Sequence, residues 1–147
     1  MLSAFIEGEA REVGQVFAAI GRELSRSNNP VPRPAAIVAG GEVTVTVKGQ
    51  GRGGRSQELV LAAAIHLEGV AGVTIMAFAT DGTDGPTNAA GALADGTTVE
   101  RARALGLNPR QALADNDSNT FFQKLGDLII TGPTNTNVDD LYVIVAT

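Results

Sequence analysis

The residues of this chain with spacing suited to chemistry begin in VTVTVKGQGRGGRSQELVLAAAIHL, Val43 to Leu67. Gly49, Gly51 and Gly54 match G-x-G-x-x-G between an alternating valine–threonine segment and an apolar helical one. A glycine turn placed so points backbone amides at a helix N-terminus, where a phosphate or carboxylate is stabilised. A dinucleotide site also requires a carboxylate at the end of the next strand, about 20 residues on, to hold a ribose. That strand, VTIMAFA, has none, and Asp81 comes later, in a loop with its own pattern. No Gly-Lys-Ser/Thr follows the glycines, so the turn is not a P-loop. Arg52 and Arg55 sit inside it, and guanidinium groups there suit bidentate capture of an oxyanion. The turn reads as an anion cradle for phosphate or a small carboxylate. A surface turn whose arginines pair with nearby carboxylates accounts for the same residues.

Asp81 and Asp84, in ATDGTDGPTNAAGA, follow an apolar strand. Ligands of open α/β sheets gather at the carboxyl ends of strands. Two carboxylates there could bind magnesium or accept a hydroxyl proton; alternatively each closes an Asx-turn on its own backbone. The loop Gly132 to Asp140, GPTNTNVDD, is long enough to be functional. Its threonine and asparagine side chains suit hydroxyls and phosphoryl oxygens, although turn chemistry also explains Asn135, Asn137 and Asp139. His66, on an apolar helix, reads as a packing residue with no second histidine to help it bind metal. NDSNTFF, Asn116 to Phe122, reads as helix capping followed by core aromatics.

Several elements must position these groups. Val13, Phe17, Ile20 and Leu24 recur at helical spacing and predict a helix over Glu9–Arg26. The prolines of SNNPVPRP, Ser27 to Pro34, break it. Ala35–Ala39 reads as a buried strand, Gly40-Gly41 as a hairpin turn and Val43–Val47 as a half-buried strand. A buried helix over Gln57–Glu68 and an interior parallel strand over Val73–Ala79 complete one crossover unit. Thr97 or Thr98 is placed to cap a helix running to Leu105, which Gly106 ends. Pro109 starts a short helix, and Asp117 or Ser118 caps another over Asn119–Leu125. Asp127–Thr131 and Leu141–Ala146 are the last strands. The fold class expected is α/β, a single domain with a mixed, partly parallel sheet flanked by helices.

Composition narrows the partners. The 147 residues fit one ordinary domain, and 44% hydrophobic content argues against disorder. A net charge of -5 argues against a nucleic-acid surface. Cysteine is absent, which excludes disulfides and thiolate metal sites. No apolar run approaches the length of a membrane span, and the first residues lack a signal-peptide layout. A soluble cytoplasmic protein, with no nucleic-acid or membrane partner, is the expectation.

Four stretches occur together and in order: EGEAREVG; GGEVTVTVKGQGRGGRSQELVLAAA; ATDGTDGPTNAAGALADGTT; and NDSNTFFQKLGDLIITGPTNTNVDDLYVIV. In this the chain resembles the C-terminal, MOFRL-type part of the class II glycerate kinases, whose members are also named hydroxypyruvate reductase. The resemblance runs from about Glu7 to the end. It implies ATP- and Mg2+-dependent phosphorylation of glycerate, usually to 2-phosphoglycerate, in a cleft between this part and a larger N-terminal domain. That domain, and the lysine it contributes, would be missing here. Residues 1–30 would then be a helical segment leading out of it, and 31–147 the MOFRL-like domain. Within GRGGRSQE, the resemblance implies that Gly51, Arg52, Gly53, Gly54 and Arg55 face phosphate or the glycerate carboxylate, supported by Gln57 and Glu58. It makes Asp81 and Asp84 metal or substrate-hydroxyl contacts, with Arg55 and Asp81 catalytic, and Asn137 a further polar cleft position. Ser56 and Asp139 stand where the family commonly has asparagine. The other readings are an NAD(P)-dependent hydroxypyruvate reductase and a non-catalytic binding or assembly module.

Overall fold

Helix α1 (Ala10–Ser27) turns Ala10, Gly14, Phe17, Ala18, Gly21 and Leu24 inward, the stripe that its apolar periodicity predicts. Asn28 ends it in the left-handed region, at φ 58°. The computed structural model describes residues 1–147. After α1 come β1 (Ala35–Gly41), α2 (Arg55–Leu67), β2 (Val73–Ala79), β3 (Gly91–Asp95) and α3 (Thr98–Ala104). The chain continues through α4 (Pro109–Ala114), α5 (Ser118–Leu125), β4 (Leu128–Ile129) and β5 (Asp140–Ala146). No helix is long and apolar enough to cross a membrane.

The strands form one sheet in the order β1-β5-β2-β3-β4, and every neighbouring pair is antiparallel. The fold is α/β with helices beside a sheet, but the expectation of partly parallel pairing is corrected. β1 and β2 do run in the same direction through α2, as a crossover requires. The slot between them is filled by β5, antiparallel to both. A local reading could not see this, because β5 comes from the far end of the chain.

The hairpin is also corrected. Gly40 and Gly41 continue β1, paired with Leu141 and Asp140. Gly41, at φ 146°, is glycine because Ile6 crosses against it; a Cβ there would lie 2.2 Å from the Ile6 carbonyl oxygen. Val43–Val47 is extended, yet Thr44 makes only an isolated bridge, to Glu9. Its β-propensity finds no full partner strand. β3 went unread because GALAD is small and lacks β-branched residues.

Both long helices lie on one face of the sheet. α1 packs on α2, β2 and β5, and α2 on β2 and β3. Alternate residues of β2 and β5 point into this layer: Val73, Ile75, Ala77 and Ala79, with Asp140, Tyr142, Ile144 and Ala146. Phe17 meets Tyr142 edge to face, ring centroids 5.7 Å apart. α2 is buried along most of its length, including its polar first turn of Ser56, Gln57 and Glu58.

α1 therefore contributes core, not only a connection. Phe17→Ala should cost about 3 kcal/mol in urea unfolding, whereas Val16→Ala, at an exposed position of the same helix, should cost below ~0.5 kcal/mol. Equal effects would contradict this packing.

Candidate functional site

The glycine-rich segment before α2 runs against the turn between α4 and α5, and most of its amides are spent there. Lys48 N and Gly49 N donate to Asn116 Oδ1 at 2.8 and 2.9 Å. Gln50 N donates to Asp115 Oδ1, Gly51 N to the Asp115 carbonyl, and Arg52 N to Asp117 Oδ1. The backbones are so close that a Cβ on Gly49 would fall 2.3 Å from the Asp115 backbone, and one on Gly54 2.3 Å from Asp84 Cγ. These glycines permit contact between two parts of the chain.

The first turn of α2 already has its anion. Asp84 Oδ1 accepts from Ser56 N at 3.0 Å, and Asp84 Oδ2 accepts from Gln57 N at 2.9 Å and Gln57 Nε2 at 2.8 Å. Burial pushes this carboxyl above the ordinary aspartate range, while hydrogen bonds from Gln57 and Ser56 pull the other way. Thr87 and Asn119 complete the set around the Gln57 amide. Glu58 is likewise buried, accepting from Arg11 Nη2 at 2.7 Å and Asn116 Nδ2 at 2.8 Å. Gln57 and Glu58 thus join α2 to its neighbours.

Arg55 is paired, as the plainer reading of the turn allowed. Its Nε donates to Asp140 Oδ2 at 2.6 Å and its Nη2 to Asp140 Oδ1 at 3.1 Å, while Nη1 donates to Glu42. Asp140 is fully buried at the start of β5, and Tyr142 Oη lies 3.4 Å from its Oδ2. The hydrogen bond to Asp140 raises the Arg55 pKa further above its ordinary value. Burial, then the Asp140 charge, pushes the Tyr142 hydroxyl up as well. Arg55 still lines the groove, with N–H bonds to spare from its five.

That groove, about 590 Å³, is bounded by Val43, Thr44, Val45 and Val47, by Gly51, Gly53, Gly54 and Arg55, and by the Thr83–Pro86 turn, with Glu58 and Asn116 at its wall. Three consecutive amides on it, of Gly53, Gly54 and Arg55, donate to no group of the chain. The buried hydroxyls of Ser56 and Ser118 beside them are also without a partner. Arg52 is exposed and has no carboxylate partner; its Nε donates to the Pro86 carbonyl at 3.0 Å. Beside the amides that Asp84 takes, the arrangement offers an entering anion three backbone donors at the start of α2 and a free cation at the rim.

Neither Asp81 nor Asn137 lines the groove, although Asp81 is bonded to Thr83, which does. Asp81 Oδ1 accepts from Thr83 N at 2.9 Å, an Asx-turn that leaves Oδ2 free. Asn137 Oδ1 accepts from Asp139 N at 3.1 Å. The two loops are stitched together: Thr80 Oγ1 donates to the Asp139 carbonyl and Thr134 N to that of Asp81. A magnesium ion does not fit the Asp81–Asp84 pair, since the Asp84 oxygens already accept three N–H donors. No three His, Asp or Glu side chains assemble a metal-binding group elsewhere. Any cation here would rest on Asp81 and on oxygens carried by a ligand.

Several site residues escaped the sequence reading: Glu42, Asp115, Asp117 and Asp140. Asp140 was in view only as the end of a polar loop. A further clue was NDS: Asp117 is the N-cap of α5, as the sequence reading allowed, but its carboxylate and the Asn116 side-chain oxygen accept from the glycine segment.

Residues 35–140 match the MOFRL family model. The chain is 49% identical over 143 residues to D-glycerate 2-kinase of Thermotoga maritima, covering 97% of this chain and 34% of that protein. It is 38% identical over 148 residues to glycerate 2-kinase of Pyrococcus horikoshii, covering 33% of it. A putative hydroxypyruvate reductase of Agrobacterium vitis is 44% identical over 146 residues. The crystal structure of glycerate kinase from Thermotoga maritima superposes with a TM-score of 0.97 at 48% identity, over 99% of this chain and 35% of that one. The chain thus spans about a third of the length of these relatives. On the strength of the matched residues and these identities, it belongs to the MOFRL family.

Proposed function

We propose that this chain forms one wall of the active-site cleft of a cytoplasmic glycerate kinase, which transfers phosphate from ATP to glycerate to give 2-phosphoglycerate. The opposite wall would come from an N-terminal domain, with residues 1–30 leading out of it and 31–147 forming the MOFRL domain. The observation that carries this reading is the row of unpaired amides at Gly53, Gly54 and Arg55, opening into the groove at the start of α2. Phosphoryl transfer depends on positioning and on stabilising charge more than on covalent chemistry. In this reading those amides, with Arg52, hold a phosphoryl or glycerate carboxylate oxygen. Arg55, fixed by Asp140 and Glu42, orients the turn and offers its remaining N–H bonds. Asp81, through its free oxygen, holds the glycerate hydroxyl or a magnesium ion. Magnesium, if held there by Asp81, would supply positive charge to offset that of the phosphate. Gly51 shapes the groove, Gln57 and Glu58 support it from below, and Asn137 would add a polar contact from the neighbouring loop.

Relatives named hydroxypyruvate reductase favour a second reading, hydride transfer from NAD(P)H. The geometry weighs against it. Two of the three fingerprint glycines, Gly49 and Gly51, have amides bonded to Asn116 and Asp115, so they are not free for a pyrophosphate. A purely structural module would need no unpaired donors on a groove.

A chimaera joining this chain to the N-terminal two thirds of the Thermotoga maritima relative tests the proposal. It should phosphorylate glycerate in a coupled assay, and this chain alone should not. NADH oxidation with hydroxypyruvate, followed at 340 nm, should be absent; turnover there without kinase activity would reverse the assignment. In the chimaera, Arg52→Ala should raise KM about tenfold with thermal stability unchanged, as loss of one charge-assisted contact implies. Asp81→Asn should lower kcat by about 100-fold. Unchanged kinetics in both variants would remove these residues from the site.

A further inference from the structure

The face of the sheet away from α1 and α2 is covered by no element, and it is apolar. One row crosses four strands in register: Val38, Val143, Met76 and Leu93. The next row holds Gly40, Leu141, Phe78, Gly91 and Ile129. Only the outer row, Ala36, Val145, Thr74 and Asp95, carries polar groups. An antiparallel sheet with one wet face alternates apolar and polar residues. Here β2 (VTIMAFA) and β5 (DLYVIVA) are apolar on both faces over most of their length.

We propose that a second copy of the chain docks on this face, sheet against sheet, about a two-fold axis through Met76. Met76 is the middle residue of the middle strand, so the axis places it against its own copy and turns the apolar row onto itself. In aligned sheet packing this axis never sets Asp95 over its counterpart, and no like charges meet. Four strands at ~4.8 Å spacing and roughly seven residues at ~3.4 Å give a footprint near 460 Å² per copy. Side-chain relief adds to it, bringing the total to about the 1,000 Å² that a specific interface needs.

Sedimentation velocity on this chain should show a species of twice the 15.1 kDa chain mass, at concentrations up to about 500 µM for an interface of this modest area. Met76→Lys should be monomeric with an unchanged circular dichroism spectrum. The chain has no cysteine, so Met76→Cys carries a single thiol, which a short bismaleimide should link into a covalent dimer. Val16→Cys, on the outside of α1, should stay unlinked. A monomer at every concentration would overturn the proposal and leave the face to a different partner. So would a dimer that Met76→Lys leaves intact, or one captured through Val16→Cys but not Met76→Cys. Should Met76→Lys fail to fold, the cysteine pair decides alone.

Discussion

A carboxylate taken out of water is costly unless donors surround it. Asp84 is almost wholly buried and has no direct ion pair; what holds it is the first turn of α2, through Ser56 N, Gln57 N and the Gln57 side-chain amide. This contact spans 28 residues and pins the loop after β2 to the start of α2. Gly54 must lack a side chain to let the carboxylate in. With two amides of the turn used by Asp84 and the preceding ones by Asp115, Asn116 and Asp117, only Gly53, Gly54 and Arg55 remain to offer hydrogen bonds to a ligand. The shape of the groove and the place where an anion can bind both follow from this interaction.

Asp140 plays a comparable part on the other side. It begins β5, the strand that fills the slot between β1 and β2, and it is buried beneath Arg55. A guanidinium that read as a free oxyanion clamp is thereby converted into a fixed wall. Groove, helix N-terminus and strand ends meet because β1 and β2 both finish at the edge where β5 begins. The charged groups concentrate at that end, while the sheet face beyond the helices stays nearly neutral. A chain built in this way has one polar working edge and one apolar surface to cover.

The helices were legible because their signals are local. Periodic apolar residues marked α1, an almost wholly apolar stretch marked α2, Pro109 opened α4, and Gly126 closes α5 at φ 77°. The apolar runs located β2 and β5, but not their pairing, which depends on a partner 61 or more residues away. The glycine cluster reads from the sequence as an anion cradle or a surface turn. What approaches it is the chain itself, at Asp84 and Asp115–Ser118, and nothing in the spacing of the glycines tells a phosphate from an aspartate. The bond from Arg55 to Asp140 joins residues 85 positions apart, beyond any local pattern.

The central claim is that the chain's own carboxylates and amides fill most of the glycine-rich turn and leave three donors open. Amide hydrogen exchange, resolved residue by residue on the folded chain, measures this directly. The account predicts slow exchange at Gly49, Gly51, Arg52, Ser56 and Gln57, and fast exchange at Gly53, Gly54 and Arg55 between them. Fast exchange at Ser56 and Gln57, or protection running unbroken through Gly53 and Gly54, would contradict it.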